Sequence, residues 1–502
     1  MHYVSLIIEF LRGRPAAVFW AATLTQAVLW TVLPGLFYSA PPGGVPILLA
    51  IGHEFVLGSY LGPPLAFWLG EIAFRLAGAF GVYALAQACI VVTYWAVFTL
   101  GRAIVGTRHA VLAVLLMVGI AAFTVPSVDF GPAIMAAPFW ALALLHYWRA
   151  LAERKRGYWL LLGVDLGLLL LSSYIGLILV ALLALFTLMS GRGRRALLHP
   201  EPWLAVLPLA IVIFPHLAWL RQERELAISG LRDSGLATGE FSAGVWLCVT
   251  LVLIHLGLGL LVALSTGWPR RRKERAPLID RNPIERLGRW FVFFFALLPA
   301  AAAVAIAHAS GRLGPFAAMP PLVVLSGLAV VVAAGNQLAL YREHVVSTAW
   351  LGLLVAPPAI VLLAILVLPW TLVTDLRISQ PVNAEAQFFA DNYQRRTGKP
   401  LDYVTGDERL APLIALASPS RPHVYFDWAP QRSPWASPDA IRKNGGLLVW
   451  PGDGNNLAPP ATLKAQFPAM VPEVPRSFER SVQGLLPLIR LGWAVVRPPL
   501  AP

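Results

Sequence analysis

The chain alternates long apolar runs with short polar interruptions. The runs cover residues 15–38, 80–100, 109–124, 132–149, 158–172, 174–190, 203–220, 243–266, 291–309, 318–339 and 347–373. In lipid a backbone must satisfy its own hydrogen bonds, so each run is read as a helix. At about 20 residues per span, the pattern predicts about eleven transmembrane helices. Residues 158–190 are too many for one span, and the stretch from Ser172 to Gly176 in their middle predicts a tight reversal.

Past Thr374 the pattern changes, with charged residues, prolines and turn formers returning. Asn383 is placed to cap a helix to about Arg396, and Leu401–Thr405 reads as a strand. Asp407 caps the next helix, and His423–Asp427 is a second strand. Ser437 and Pro438 then start a helix that Gly445 and Gly446 stop, before a strand over Leu447–Trp450. The expected fold class is thus an α-helical polytopic membrane protein, residues 1–373, followed by a small C-terminal α/β domain, residues 374–502. That tail carries no metal-ligand cluster, phosphate-cradling loop or nucleophile motif of its own, which suits a lid or docking role.

Composition supports this division. With 58% hydrophobic and 13% charged residues, and a mean hydropathy of +0.68, the chain is too apolar for a soluble globule. The net charge of +13, from 39 basic and 26 acidic side chains, fits cytoplasmic loops and lipid headgroups, not nucleic acid. Arg12, Arg14, Arg102, Arg108, Arg149, Arg154 to Arg156, Arg192 to Arg195 and the block Arg270 to Arg275 fall in alternate loops, so that side is cytoplasmic. The N-terminus is then cytoplasmic. The first loop (39–79), residues 125–131 and 221–242 and the tail face the periplasm of a bacterial inner membrane. Trp20, Trp30, Trp68, Trp140, Trp148, Trp219, Trp290 and Trp370 lie near run ends, as an aromatic belt would. Cys89 and Cys248 sit in apolar runs and predict no disulfide. No small-residue cleavage site follows the first apolar stretch, so that stretch is expected to remain as a span.

The first loop holds the candidate chemistry. Ser39 to Pro64 contains Glu54, one of few carboxylates in the first hundred residues. Pro63 and Pro64 preset a helix to about Leu76, and Gly78 is placed to stop it. Glu71 and Arg75 lie four apart on one face of that short, interfacial helix. Glycine, serine, tyrosine and the proline pair between Gly58 and Pro64, together with Val128 to Phe130 and Leu171 to Gly176, resemble the C superfamily of integral-membrane glycosyltransferases. The nearest likeness is to its family 39-like group, which includes protein O-mannosyltransferases, the aminoarabinose transferase of lipid A and rhizobial galacturonosyltransferases. The likeness covers residues 15–220 best.

That resemblance implies transfer of a sugar from a polyprenyl-phosphate donor to a periplasmic or lipid-linked acceptor, which is a glycan, lipid or protein. It admits a divalent metal and no other cofactor. The family's first-loop Asp falls at Gly44 here, and its Lys positions fall at Leu61–Gly62 and Ser173. A catalytically degenerate relative that binds or transports a polyprenyl-linked glycan is therefore the alternative. A solute transporter ranks behind both, because internal repeats are not evident.

Transfer needs a base for the acceptor and positive charge or a metal for the leaving phosphate. The only lysines, Lys155, Lys273, Lys399, Lys443 and Lys464, lie outside the apolar runs, which leaves arginines or a metal for the phosphate. Glu54 and Asp129 are the candidate catalytic carboxylates. Tyr60, Arg75, Tyr174, His216 and Arg221 are candidate substrate-binding residues, as is His53, which also suits a metal. Each has a plainer reading: a loop cap for Glu54, a solvated loop for Asp129, headgroup anchors for the arginines. Asp165 must face protein, water or an interface, because an unpaired carboxylate in lipid costs several kcal/mol. His146, His255, His308, Asn336 and Gln337 fit interhelical hydrogen bonds.

Overall fold

A computed structural model describes residues 13–233, 242–266, 278–280, 282–314, 318–339, 343–371, 376–427, 430–452 and 458–498. The basic block Arg270 to Arg275 lies outside these residues. All eleven apolar runs carry helix. Among the described residues, five helices are long and apolar enough to cross a membrane: Pro15–Phe37, Leu65–Val105, Glu201–Gln222, Arg286–Ser310 and His344–Thr371. Two bent pairs bring the number to as many as seven, Thr107–Met117 with Ala121–Val128 at 83° and Ala243–Ile254 with Leu256–Ser265 at 43°. Tyr158–Ser172, Gly176–Met189 and Met319–Ala333 are shorter apolar helices. The protein is a multi-pass membrane protein.

The predicted reversal is present: the first short helix ends at Ser172 and the next starts at Gly176. Gly78 also breaks the helix where expected. It stands at φ +60°, which suits a residue without Cβ, and the backbone of Leu65–Val105 is non-helical at Ala77 and Gly78.

The chain forms two compact units. One comprises Met1–Val32, Tyr60–Ala66 and Tyr83–Ala359, the other Leu33–Ser59, Phe67–Val82 and Ile360–Pro502. The first unit is helical around an aromatic core. Phe186 stacks on Trp290 at 4.4 Å and meets Phe291 and Phe294 edge-on. Three of its histidines pair with polar side chains of other helices or their ends. His146 Nδ1 lies 2.5 Å from Asp165 Oδ2, His255 Nε2 lies 2.9 Å from Ser326 Oγ, and His308 Nδ1 lies 3.2 Å from Ser242 Oγ. These are the pairings that an apolar surround demands.

The first unit also holds the antiparallel strand pair Leu278–Asp280 and Gln337–Ala339, so the apolar run 318–339 ends as strand and Gln337 pairs with Asp280 in a ladder, not across helices. The second unit is discontinuous in sequence and contains a six-stranded sheet. Tyr403–Gly406 lies between His423–Tyr425 and Gly446–Pro451, parallel to both. Ile489–Val496 extends the sheet antiparallel to Gly446–Pro451, with Leu447 opposite Val495. Val471–Pro472 and Arg476–Phe478 pair with that last long strand. The central run Leu447–Trp450 is buried throughout, as a strand covered on both faces should be.

Two of the three predicted caps form. Asp407 Oδ1 accepts from the backbone N–H of Arg409 and Leu410 at 2.9 and 3.0 Å. Ser437 Oγ accepts from Ala440 N–H at 3.1 Å, with Pro438 at the first helical position. Asn383 is not a cap: the helix Val382–Thr397 begins one residue earlier, with Pro381 before it. Proline at that point fixes φ and takes away the N–H, so the chain turns into the helix without a side-chain acceptor.

Candidate functional site

The helix Val45–His53 carries the first-loop carboxylate at its end, with Glu54 as its C-terminal cap residue. It packs closely on the helix that starts at Leu65. A Cβ on Gly52 would stand 2.4 Å from the Phe67 carbonyl oxygen, so only glycine permits this approach. The approach places His53 against Glu71, one turn beyond Phe67 along that helix.

Glu71 is wholly buried. Arg75 Nε donates to its Oε1 at 2.8 Å, and Arg421 Nη2 donates to its Oε2 at 2.6 Å. His53 Nδ1 lies 3.4 Å from Glu71 Oε1 and 3.4 Å from Arg75 Nη2, so its tautomer decides which contact is a hydrogen bond. A carboxylate carrying two guanidiniums is satisfied and ionised. The i,i+4 pair expected on one face of this helix is thus present, with Arg75 exposed and Glu71 buried as the anionic centre that Arg421 also reaches.

The guanidiniums are also covered by rings. Arg75 lies 5.0 Å from the Phe55 ring centre and Arg421 lies 4.6 Å from that of Phe74. Burial pulls the Arg421 guanidinium below its usual value, while the Glu71 charge opposes that shift. Phe55 and Arg421 share a further property. They stand at φ +48° and +50°, a left-handed conformation that side chains disfavour, and only Arg154 does the same among the other described non-glycine residues.

The strand His423–Tyr425 follows at once. His423 Nδ1 donates to Glu54 Oε1 at 2.7 Å. That hydrogen bond raises the His423 pKa above the ordinary histidine value, against the effect of partial burial and with help from the charges of Glu54 and Asp402. The His423 ring lies 5.7 Å from His53 and 5.5 Å from Tyr403. His53, Glu54 and His423 each offer one ligand atom, and the three atoms lie within 4.8 Å of one another. Two imidazoles and one carboxylate form a donor set suited to a borderline divalent cation such as zinc. The neighbouring guanidiniums would oppose a cation, but the Glu71 carboxylate between them offsets this. The tail, expected to hold no metal-ligand cluster, supplies one member of this group.

Of the residues expected from the sequence, His53, Glu54 and Arg75 thus meet in the discontinuous unit. Arg421 and His423 join them unforeseen. Asp129, Tyr60, Tyr174, His216 and Arg221 belong to the helical unit. Tyr174 Oη lies 3.2 Å from His216 Nε2, and the buried His216 ring stacks on Trp219 at 5.5 Å. Arg221 is exposed in the last turn of the same helix, Val206–Gln222. Asp129 is exposed just after the short turn Val125–Val128. The Tyr60 backbone lies against Gly230, where a Cβ would stand 1.9 Å from its carbonyl oxygen.

Residues 62–219 match the family described as dolichyl-phosphate-mannose-protein mannosyltransferase. Among curated proteins, none matches this chain. Among solved structures, ArnT from Cupriavidus metallidurans bound to undecaprenyl phosphate aligns with 97% of this chain and 99% of its own, at a TM-score of 0.60 and 15% identity. The same protein in its apo state gives a TM-score of 0.57 and 13% identity, over 97% and 98% of the two chains. The family match over residues 62–219 falls within residues 15–220, where the sequence resemblance is best, and the likeness in fold covers nearly the whole chain.

Proposed function

We propose that this protein is a membrane glycosyltransferase that moves a sugar from a polyprenyl-phosphate donor to an acceptor on the periplasmic side. The observation that carries the reading is the whole-length likeness to ArnT bound to undecaprenyl phosphate, joined to the mannosyltransferase family match over residues 62–219.

Glu54 is the proposed base on the discontinuous unit, with His423 hydrogen-bonded to it as the group that takes up or returns the proton. Asp129 is the second carboxylate of the proposal, on the helical unit. Tyr174 and His216, a polar pair in an otherwise apolar helical region, and Arg221 at the end of the same helix offer donors for a phosphate. Glu71 acts differently. Tied to Arg75 and Arg421, it positions the helix that faces His53 and does not move protons. A divalent cation, where one binds, would be held by His53, Glu54 and His423 and would supply positive charge toward a leaving phosphate.

Membranes supplied with polyprenyl-phosphate sugars test the reading. Transfer should fall at least a hundredfold in Glu54→Gln and at least tenfold in Asp129→Asn. Unchanged transfer by both variants would remove them from the site. Metal content of purified protein, measured by elemental analysis, should fall to background in His423→Ala if the cation site is real.

Gly44 favours a second reading, a relative that binds the lipid-linked glycan without transferring its sugar. Gly44 precedes the helix Val45–His53 at φ −87°, and a Cβ there meets nothing within 4 Å. Gly44→Asp is therefore sterically free. If the wild type binds lipid-linked sugar without turnover and Gly44→Asp gains turnover, the second reading is the correct one.

A further inference from the structure

We infer that the discontinuous unit carries a second site, a binding crevice for an anionic saccharide at the carboxyl ends of its parallel strands. Tyr403–Gly406 is followed in sequence by His423–Tyr425 on one side and then by Gly446–Pro451 on the other. The strand order therefore reverses between Tyr403–Gly406 and Gly446–Pro451. In open α/β sheets the crevice outside the strand ends at such a reversal is where ligands bind.

A crevice of about 600 Å³ lies there, lined by Asp407 and Arg409 beyond one strand and by Pro451 and Gly452 at the end of the other. That volume lies within the range of about 300–1,000 Å³ common to small-molecule sites. Four guanidiniums border it, from Arg377, Arg409, Arg480 and Arg490. Among the described residues Asp407 is the one carboxylate in the lining, and its Oδ1 is already engaged by the backbone N–H groups of Arg409 and Leu410. The helix N-terminus is thus occupied from within, and the attraction for an anion comes from the arginines. Arg480 Nε donates to the Pro487 carbonyl at 3.0 Å, which steadies its guanidinium at the rim. Arg377, Arg409 and Arg490 are exposed, and no ion pair joins them to a carboxylate among the described residues.

Three exposed guanidiniums around one concavity, Arg377, Arg409 and Arg490, with no carboxylate paired to them among the described residues, call for a ligand with at least two anionic groups. The rest of the lining is mixed. The Gln380 amide, whose Nε2 donates to Glu385 at 2.9 Å, has its Oε1 to accept from a hydroxyl, and Leu488 and Ile489 offer apolar surface to a sugar face. A saccharide bearing phosphate or carboxylate groups meets all three demands. That this saccharide is the acceptor side of the transfer rests on the function proposed above; the binding itself does not.

The test uses the full-length protein in lipid nanodiscs and reads direct binding by saturation-transfer NMR and competition. The probes are glucose 1,6-bisphosphate, digalacturonate, uncharged diacetylchitobiose and inorganic phosphate. One of the two charged saccharides should bind at least tenfold more tightly than both the neutral sugar and inorganic phosphate. The preferred one tells a phosphorylated from a uronic-acid ligand. Arg409→Gln combined with Arg490→Gln should abolish that preference without shifting the melting temperature, and Arg377→Gln alone should weaken it severalfold. Equal binding of all four probes, or binding that survives the double substitution, overturns the site. Loss of sugar transfer in Glu54→Gln with the crevice still binding separates the two proposals. Failure of the crevice to bind while transfer proceeds removes only this one.

Discussion

Within the discontinuous unit, arginines occur in two opposite circumstances. Arg75 and Arg421 converge on the buried Glu71, at 2.8 and 2.6 Å, with phenyl rings over both. Arg377, Arg409 and Arg490 border an open crevice where no acid is paired with them among the described residues. In the first place the protein supplies its own anion, and the charges hold the fold. In the second the anion has to come from outside. Charge count alone does not separate a structural cluster from a binding one; what separates them is whether the counter-charge is already built in. Glu385 is a third case with the sign reversed. It is a buried acid whose carboxyl accepts only from Gln380 Nε2 at 2.9 Å, and its other oxygen has no partner among the described residues.

The contrast breaks most sharply at Glu71. Removing the buried Glu71 strands the largely buried Arg421, while the exposed Arg75 can turn to solvent, so Glu71→Gln should cost about 3 kcal/mol, read as a large fall in melting temperature in detergent. Adding Arg421→Gln should recover part of that loss, and a double-mutant cycle measures the coupling. If Glu71→Gln melts like the wild type, the network is no structural centre and the comparison fails.

Glu385 should respond in the opposite direction. Burial raises its carboxyl pKa from 4.5 to about 7, with the Gln380 hydrogen bond opposing the shift. Because the folded value exceeds the unfolded one, the protonated acid contributes stability fully below pH 4.5, and that contribution is lost as pH rises to about 7. Glu385→Gln imitates the protonated form. It should be more stable than the wild type by about 3 kcal/mol at pH 8 and equal to it at pH 4, which flattens the pH profile of melting.

The crevice arginines should have the smallest effect on stability. Arg409→Gln and Arg490→Gln are expected within about 0.5 kcal/mol of the wild type, since exposed groups without an acid partner have little to lose. A cost near that of Glu71→Gln would mean that these arginines too are structural, and the distinction between the two sets would disappear.

Local features of the sequence were legible, and long-range ones were not. Apolar run length gave the helices, Ser172 to Gly176 gave the reversal, and Asp407 and Ser437 gave caps, because each signal lies within a few residues. The i,i+4 spacing of Glu71 and Arg75 gave their pairing but not its burial. Arg421, which completes the network, is separated from Glu71 by 350 residues, and nothing in the local pattern around Arg421 points that far back. His423 was read as the start of a strand for the same reason, and its contact with Glu54 depends on how that strand is docked. The strand Ile489–Val496 was not foreseen, although it contributes Ile489, Arg490 and Leu491 to the lining of the crevice. Asn383 misled because asparagine before an apolar stretch is a common cap, whereas Pro381 had already set the entry.

The distance along the chain between Glu71 and Arg421 also fixes a sequence of events during synthesis. At roughly 5–20 residues per second, a ribosome needs roughly 20–70 s to bring the second arginine out after the glutamate. For that interval the acid has Arg75 as its neighbour along the helix and no tail to close over it. The nascent first loop must stay hydrated until the last quarter of the polypeptide arrives, so chains truncated before Arg421 should be recognised by quality-control proteases through this unsealed acidic surface.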